Sequence, residues 1–412
     1  MKIYSGWRMV ATGGGIQFLQ AMFLHQGFGA YFAVLSEERG WSKTALSGAA
    51  VLQPMEAAVL GPVLGWFIDR FGPQGMIRAG VLTFGAGFML LSQIDTLAGF
   101  YAAFLVIAIG SSLCGFFPVN VALIHWFEKF RARALSALAL GMALGGILVP
   151  LVAWYMESFG WRSAAFTSGV MAILIGWPLA RVFRHRRPED NGEAVDGLPP
   201  QTAEAGDAET GLQREFSARE ALRTSAFWLL SLGHGFALLV VYAVNVHAIT
   251  HMKESLGYNL SQASLVITLM TAAQVGGVLL GWAIGDRYPK RFIAAACMLM
   301  HASGLLALAY ADGLAMLVAF ALLHGAGWGL RGPFMQALRA DYFGRRSIGM
   351  ILGLSSIIVV VGQIGGPLLS GVLADLTGNY RAGFTVLAVV AGLGSLFFLL
   401  AKRPEQQAAA RG

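Results

Sequence analysis

The chain has 412 residues, of which 56% are hydrophobic and only 12% are charged. Soluble domains carry about 25% charged residues, so this composition excludes an ordinary soluble domain and indicates a protein with several membrane-spanning segments. The net charge of +7 does not predict nucleic-acid binding, because the basic residues fall in the loops between apolar runs. The two cysteines, Cys114 and Cys297, lie in apolar runs and form no disulfide framework.

Apolar runs long enough to cross a bilayer core of roughly 30 Å recur along the whole chain. We predict twelve transmembrane helices, with boundaries at about 9–34, 44–68, 76–93, 97–126, 133–156, 163–183, 226–250, 262–285, 292–311, 314–338, 348–374 and 382–401. The first run follows a short basic segment and is too long for the apolar part of a cleavable signal peptide, so it is expected to be retained.

A long polar linker at 184–223 separates a six-helix half at 1–183 from a six-helix half at 224–412. The stretch 189–215 has almost no bulky apolar residues, which predicts that the linker is largely disordered. After it, Ser217 and Glu220 have the spacing of a capping box, which predicts a short helix on the membrane surface.

The distribution of basic residues predicts the orientation of the chain in the membrane. If both termini are cytoplasmic, 23 of the 29 basic residues fall in cytoplasmic segments, with Arg339 among them, and five fall in outer loops. By the positive-inside rule, we expect a multi-pass protein of the cytoplasmic (inner) membrane with both termini in the cytoplasm.

The two halves repeat each other at an offset of about 215–221 residues. Gly65-Trp-Phe-Ile-Asp69-Arg70 matches Gly281-Trp-Ala-Ile-Gly-Asp286-Arg287, and Gly160-Trp-Arg162 matches Gly378-Asn-Tyr-Arg381. Two parallel six-helix repeats with a site near the membrane midplane are a transporter architecture.

The spacing of Gly65, Asp69, Arg70 and Gly72 resembles the G-x-x-x-D-R-x-G loop of the major facilitator superfamily. The resemblance covers nearly the whole chain outside 184–215. A narrower resemblance, to the bacterial monocarboxylate and oxalate:formate porter branch, rests on residues 35–44, 160–162 and 221–228. The predicted helices 8 and 11 lack the charges that this branch can use.

These resemblances imply an all-α membrane protein with twelve transmembrane helices in two parallel six-helix repeats. They also imply a secondary active transporter that moves a small organic anion by rocker-switch alternating access, with protons or by exchange, and functions as a monomer. An exporter of drugs or bulkier metabolites remains an alternative, as does a membrane receptor or scaffold. The sequence contains no P-loop, HExxH or CxxC motif, so we expect no enzyme, cofactor or metal site.

Arg331 lies inside the apolar run 314–338. An arginine at that depth costs at least about 2.5 kcal/mol, so it must face protein or a wet cavity, where it usually marks a substrate or ion path. His324, Trp328 and Met335 share its helical face by their spacing. We predict an anion-binding role for Arg331; a structural arginine satisfied by carbonyl groups is the alternative.

By the same resemblance, helices 1, 4, 7 and 10 line the central cavity. Polar residues on these helices, together with Trp328, are candidates for substrate binding: Gln17, Gln20, Tyr31, Asn120, His234, Tyr242, Asn245, His324 and Arg331. Neutral polar residues in membrane helices often only bond neighbouring helices, at about 0.6 kcal/mol each, which is the alternative for each of them.

Two further roles are predicted. Glu56 lies within an apolar span, where a carboxyl group readily takes up a proton, so it is a candidate for proton coupling; His25 is a second one, because histidine titrates near neutral pH. The loop motif and its second copy are predicted to gate the transporter by holding the outward-open state, through Gly65, Asp69, Arg70, Gly72, Asp286 and Arg287.

Overall fold

The computed structural model describes residues 4–25, 27, 31, 34–35, 38–39, 41, 56, 59–145, 148–184, 186–197, 215–258 and 260–404. The chain divides into two compact units, Met1–Gly206 and Asp207–Gly412. Over these described ranges both units are helical, and neither contains a β-strand.

The helices of the first unit begin with α1 (Ser5–Gln20), which continues as a π-helical turn, Ala21–His25. Residues 59–71 are also helical. The unit continues with α2 (Pro73–Leu91), α3 (Leu97–Cys114), α4 (Phe116–Trp126), α5 (Arg131–Gly145), α6 (Val149–Phe159) and α7 (Trp161–Ala180).

The second unit opens with the short helix α8 (Ala218–Leu222), whose capping box between Ser217 and Glu220 is formed as predicted. Its longer helices follow in order: α9 (Ser225–Glu254), α10 (Leu260–Ile284), α11 (Lys290–Ala309), α12 (Leu314–Phe343), α13 (Ile348–Thr377) and α14 (Arg381–Leu400).

Nine helical segments in the described part of the chain are long and apolar enough to cross a membrane, and each coincides with a predicted span. The predicted spans 9–34 and 44–68 fall partly outside the described residues. The predicted span 133–156 corresponds to α5 and α6, which the structure describes on either side of residues 146–147.

The predicted span 97–126 is interrupted at Gly115, where α3 ends and α4 begins. Pro118 has no backbone N–H and therefore cannot continue the helical hydrogen-bond ladder to Cys114. A Cβ atom at Gly115 would lie 2.8 Å from Oε1 of Gln20 on α1, so the break also lets α1 approach this backbone closely.

Equivalent glycines join equivalent helices in the two units. A Cβ atom at Gly141 on α5 would lie 2.2 Å from the carbonyl oxygen of Gly14 on α1. A Cβ atom at Gly362 on α13 would lie 2.1 Å from the carbonyl oxygen of Gly235 on α9. Both glycines of the second pair follow those of the first by 221 residues, which confirms the predicted internal repeat.

Part of the predicted disordered linker has defined structure. The Asp196 carboxylate accepts hydrogen bonds from the backbone N–H groups of residues 128–130, just before α5. In the second unit, the Glu215 carboxylate accepts from the N–H groups of Arg345 and Arg346, just before α13. Residues 186–197 therefore have defined structure where disorder was expected. Although this segment has little apolar surface, the Asp196 carboxylate fixes it by accepting hydrogen bonds from the backbone N–H groups that precede α5.

Candidate functional site

Arg331 lies in the middle of α12, and its side chain is fully buried, with 0% exposure. Its Nε and Nη1 atoms have no hydrogen-bond partner among the described residues. Over the same residues its guanidinium group forms no salt bridge. A buried charge is normally paired or hydrogen-bonded, so Arg331 has the properties expected of a group that binds an anion.

The glycines around Arg331 bring the neighbouring helices close. Gly325 and Gly329 face α10, where a Cβ atom at Gly329 would lie 1.9 Å from the carbonyl oxygen of Gln274. Gly327 faces α11, with the Cys297 carbonyl oxygen 3.1 Å from the position of a Cβ atom. The glycine-rich stretch therefore places Arg331 between closely packed helices of the second unit.

A pair of buried histidines lies two turns of α12 away from Arg331. Nδ1 of His324 and Nδ1 of His301 on α11 are 3.1 Å apart, and both side chains have 0% exposure. One of these nitrogens must donate the hydrogen bond and the other accept it. The outer Nε2 atoms of both rings have no partner within the described part of the chain, so each is available to a further polar group.

A second buried arginine, Arg339, lies on α12 and is only 2% exposed. The predicted span ends at 338, one residue before Arg339, whereas α12 continues to Phe343. Its guanidinium group donates to the carbonyl oxygens of Met335 and Leu230 at 2.9 and 3.3 Å, and to the Ser355 hydroxyl at 2.8 Å.

His234 lies 3.4 Å from the Arg339 guanidinium, measured from Nδ1 to Nη2. A guanidinium group can only donate hydrogen bonds, so Nδ1 of His234 must be the acceptor and carries no proton. His234 is also within electrostatic range of Arg331. The second unit therefore combines two buried guanidinium groups with neutral hydrogen-bonding groups, an arrangement that attracts an anion.

The remaining candidates of the second unit are less buried. Trp328 is half-buried on α12, and Asn245 and Tyr242 are exposed on α9, with Tyr242 at 37% exposure. Their predicted contribution to substrate binding stays a prediction.

In the first unit, the structure brings Gln20 and Ser111 together, while Gln17 has no partner among the described residues. Nε2 of Gln20 donates to the Ser111 carbonyl oxygen at 3.3 Å and to Sγ of Cys114 at 3.1 Å. Gln17 is fully buried, and neither its Nε2 nor its Oε1 atom has a partner within the described residues. Gln20 thus joins helices, while a ligand-binding role for Gln17 stays a prediction.

Asn120 and Tyr31 are both buried, with 1% exposure each. The Asn120 amide donates to the Phe116 carbonyl oxygen, and its Oδ1 atom has no partner in the described part of the chain. The Tyr31 hydroxyl lies 3.4 Å from the Ser168 hydroxyl.

Glu56 is half-buried, and its Oε2 atom accepts a hydrogen bond of 2.7 Å from the Ser112 hydroxyl on α3. Its Oε1 atom is buried and has no partner among the residues described. His25, at the end of the π-helical turn, is exposed.

The predicted gating residues of the first unit lie in the helical stretch 59–71, which holds Gly65, Asp69 and Arg70, and in the turn before α2, which Gly72 forms. Gly72 has a φ of +80°, in the left-handed region that favours glycine. The Asp69 carbonyl oxygen accepts from Arg186, and the Arg70 guanidinium lies 5.5 Å from the Trp66 ring centroid. Gly65 is buried; in the second copy, Asp286 is half-buried and Arg287 is exposed.

Two buried polar residues of the second unit, His301 and Arg339, were not among the candidates predicted from the sequence. His301 and His324 lie at nearly equal distances from the turn between α11 and α12, which ends at Gly313, and helices joined by a short turn place such positions side by side. For Arg339, the available signal was that neither glycine nor proline occurs between the predicted end of the span at 338 and Gly344, whose φ of +80° ends the helix.

Repeated units of long apolar helices that enclose buried polar side chains define a polytopic membrane protein of the transporter class. The Major Facilitator Superfamily family model matches residues 15–248 and 230–412. The chain therefore belongs to the Major Facilitator Superfamily.

Three similar proteins are transporters by name. Monocarboxylate transporter 13 of Bos taurus is 25% identical over 82% of this chain and 76% of its own length. The 4-hydroxybenzoate transporter PcaK of Pseudomonas putida is 28% identical over 95% of this chain and 91% of its own length. The human organic anion transporter MFSD10 (TETRAN) has the same fold, with a TM-score of 0.73 at 14% identity over 95% of this chain and 99% of that chain.

These findings confirm the predicted superfamily, its twelve-helix fold and a transporter rather than an enzyme. The protein is a multi-pass membrane protein.

Proposed function

We propose that the protein is a secondary active transporter of a small, monocarboxylate-like organic anion. It works by rocker-switch alternating access in the cytoplasmic membrane, with both termini in the cytoplasm. The observation that carries the proposal is the fully buried Arg331 guanidinium, two of whose nitrogens lack partners among the described residues. A guanidinium group binds a carboxylate through two parallel N–H···O bonds, which suits a monocarboxylate.

The names of two relatives support an anionic substrate, because one transports monocarboxylates and the other 4-hydroxybenzoate. His324 and His301 supply neutral hydrogen-bonding atoms in apolar surroundings within the same unit as Arg331, and such groups orient the rest of a small substrate. A drug exporter is expected to have an aromatic cavity with few charges. The two buried arginines, Arg331 and Arg339, therefore favour an anionic substrate.

A comparison of acids with their uncharged amides tests this proposal. The purified full-length protein in proteoliposomes should take up small aliphatic or aromatic monocarboxylates and exclude the matching carboxamides, because only the acids pair with Arg331. Transport of bulky neutral or cationic compounds without any carboxylate would instead favour the drug exporter. Carboxylate binding without transport would favour a receptor.

Proton coupling through Glu56 is the second part of the proposal. Glu56→Gln keeps an acceptor for the Ser112 hydroxyl, which lies 2.7 Å from the native carboxylate, but removes the titratable proton. We expect the variant to lose substrate accumulation driven by a pH gradient while retaining substrate exchange. Both rates can be measured in the same proteoliposomes.

Ser112→Ala is the matched control, because it removes the hydrogen bond but leaves the carboxyl group, so accumulation should persist. Full accumulation by the Glu56→Gln variant would exclude Glu56 from the proton path and direct attention to His25 or His324.

A further inference from the structure

A cavity of about 470 Å³ lies at one end of the second unit, where α11 begins and where α12 and α14 end. Its lining includes three cationic side chains, one carboxylate and two tyrosines: Lys290, Arg291, Arg403, Asp341, Tyr288 and Tyr342. The distribution of basic residues predicts that this end of the unit is cytoplasmic.

The cavity has an excess of positive charge. Lys290 is neutralised by Asp341, with Nζ and Oδ2 2.8 Å apart. Arg291 and Arg403 form no salt bridge within the described part of the chain. The first turn of α11 also lacks a side-chain cap, so the amino-terminal end of this helix adds positive potential at the cavity. The ligand that fits is an anion with several acceptor oxygens, such as a phosphate group.

The cavity lies next to surfaces that face lipid. Phe292, Leu299 and Leu306 recur every seven residues on one face of α11 and are 48%, 54% and 43% exposed. The adjacent helix α14, which packs along α11, exposes Leu396 and Leu400 by 52% and 61%. On helices that cross a membrane, such exposed apolar faces contact acyl chains.

We propose that this cavity binds the phosphate group of an anionic phospholipid whose acyl chains lie along the exposed faces of α11 and α14. Basic pockets between the cytoplasmic ends of membrane helices are suited to such headgroups. Tyr288, which is 60% exposed, lies where tyrosines commonly contact the headgroup region. The site is separate from the proposed substrate site and does not depend on what the protein transports.

Lipid binding to the delipidated full-length protein tests the proposal. Phosphatidylglycerol would be titrated in neutral detergent and bound lipid counted by native mass spectrometry. The Arg291→Gln/Arg403→Gln double variant should bind it roughly 25-fold more weakly, since each basic residue near an anionic lipid contributes roughly a fivefold factor. Asp341→Asn should bind it more tightly, because the repelling carboxylate is lost and Lys290 is released.

The matched control is Arg219→Gln/Arg223→Gln, which removes the same charge from exposed positions in and just after α8, outside the cavity, and should lose much less lipid binding than the cavity variant. Equal binding by the cavity variant, the control and the unmodified protein would overturn the proposal. Melting temperatures of all variants separate loss of the site from loss of the fold.

A parallel titration with inorganic phosphate and glycerol 3-phosphate identifies the source of the phosphate group. We expect little binding of either, because neither has acyl chains. If these soluble anions bound as tightly as the lipid, and bound less to the cavity variant, the cavity would be a phosphate site for a soluble ester. Phosphatidylcholine serves as the zwitterionic lipid and should bind more weakly than phosphatidylglycerol.

Discussion

Replacing Arg331 by alanine should weaken the binding of the transported carboxylate by at least tenfold. A buried hydrogen bond to a charged group contributes about 1.5–3 kcal/mol, and about 1.4 kcal/mol corresponds to a tenfold change in affinity. Arg331→Lys should recover little of the loss, because a lysine ammonium group cannot form two parallel bonds to a carboxylate. Equilibrium binding to the purified variants, together with their melting temperatures, measures both effects.

Arg339 provides the comparison on the same helix. Its guanidinium group already donates to Leu230, Met335 and Ser355, so its loss removes buried hydrogen bonds from a charged group, which contribute about 1.5–3 kcal/mol each. Arg339→Ala should therefore lower the melting temperature more than the affinity. The opposite pattern, a stable Arg331→Ala protein with unchanged affinity, would remove Arg331 from the substrate site.

The contrast between these two arginines shows when the burial of a charged residue can be predicted from the sequence. Arg331 lies well inside the apolar run 314–338, so its burial follows from the cost of placing a charge in the membrane. Arg339 lies near the end of the same helix, at a position where a charged residue looks equally suited to a loop. Only the packing of α9 and α13 around it, through Leu230 and Ser355, makes it a buried residue.

Much of the fold was predictable because it depends on local sequence. Apolar length set the membrane spans, and the repeated motifs indicated the internal repeat. Contacts between helices were harder to predict, because helical periodicity assigns a residue to a face but does not say which helix that face meets. The His301–His324 pair is such a contact, as is the Asp196 carboxylate bound to the turn before α5.

The close packing of α10 against α12 rests on two glycines of α12 with the spacing G-x-x-x-G, a pattern that lets membrane helices approach closely. A Cβ atom at Gly325 would lie 2.1 Å from the carbonyl oxygen of Met270, and one at Gly329 would lie 1.9 Å from that of Gln274. Both obstacles are backbone atoms of α10, which cannot rotate away as a side chain can. The helices would have to separate to admit even a methyl group.

Gly329→Ala should therefore destabilise the protein by about 3 kcal/mol or more, at or above the upper end of the usual cost of overpacking a core. Gly332→Ala is the matched control, since a Cβ atom at Gly332 has no neighbour within 4 Å. Alanine favours a helix by about 0.8–1.0 kcal/mol over glycine, so the control should be as stable as the unmodified protein or more stable. Melting temperatures and the yield of folded protein in detergent distinguish the two variants.

The Gly329→Ala change should also reduce substrate binding, because Gly329 lies two residues before Arg331 and a displaced α12 carries the guanidinium group with it. Binding by whatever folded Gly329→Ala protein is recovered measures this second effect, with Gly332→Ala expected to bind normally. If the two variants had equal melting temperatures, α10 and α12 could not be packed as closely as described. The position of Arg331 would then have to be set by contacts other than this glycine interface.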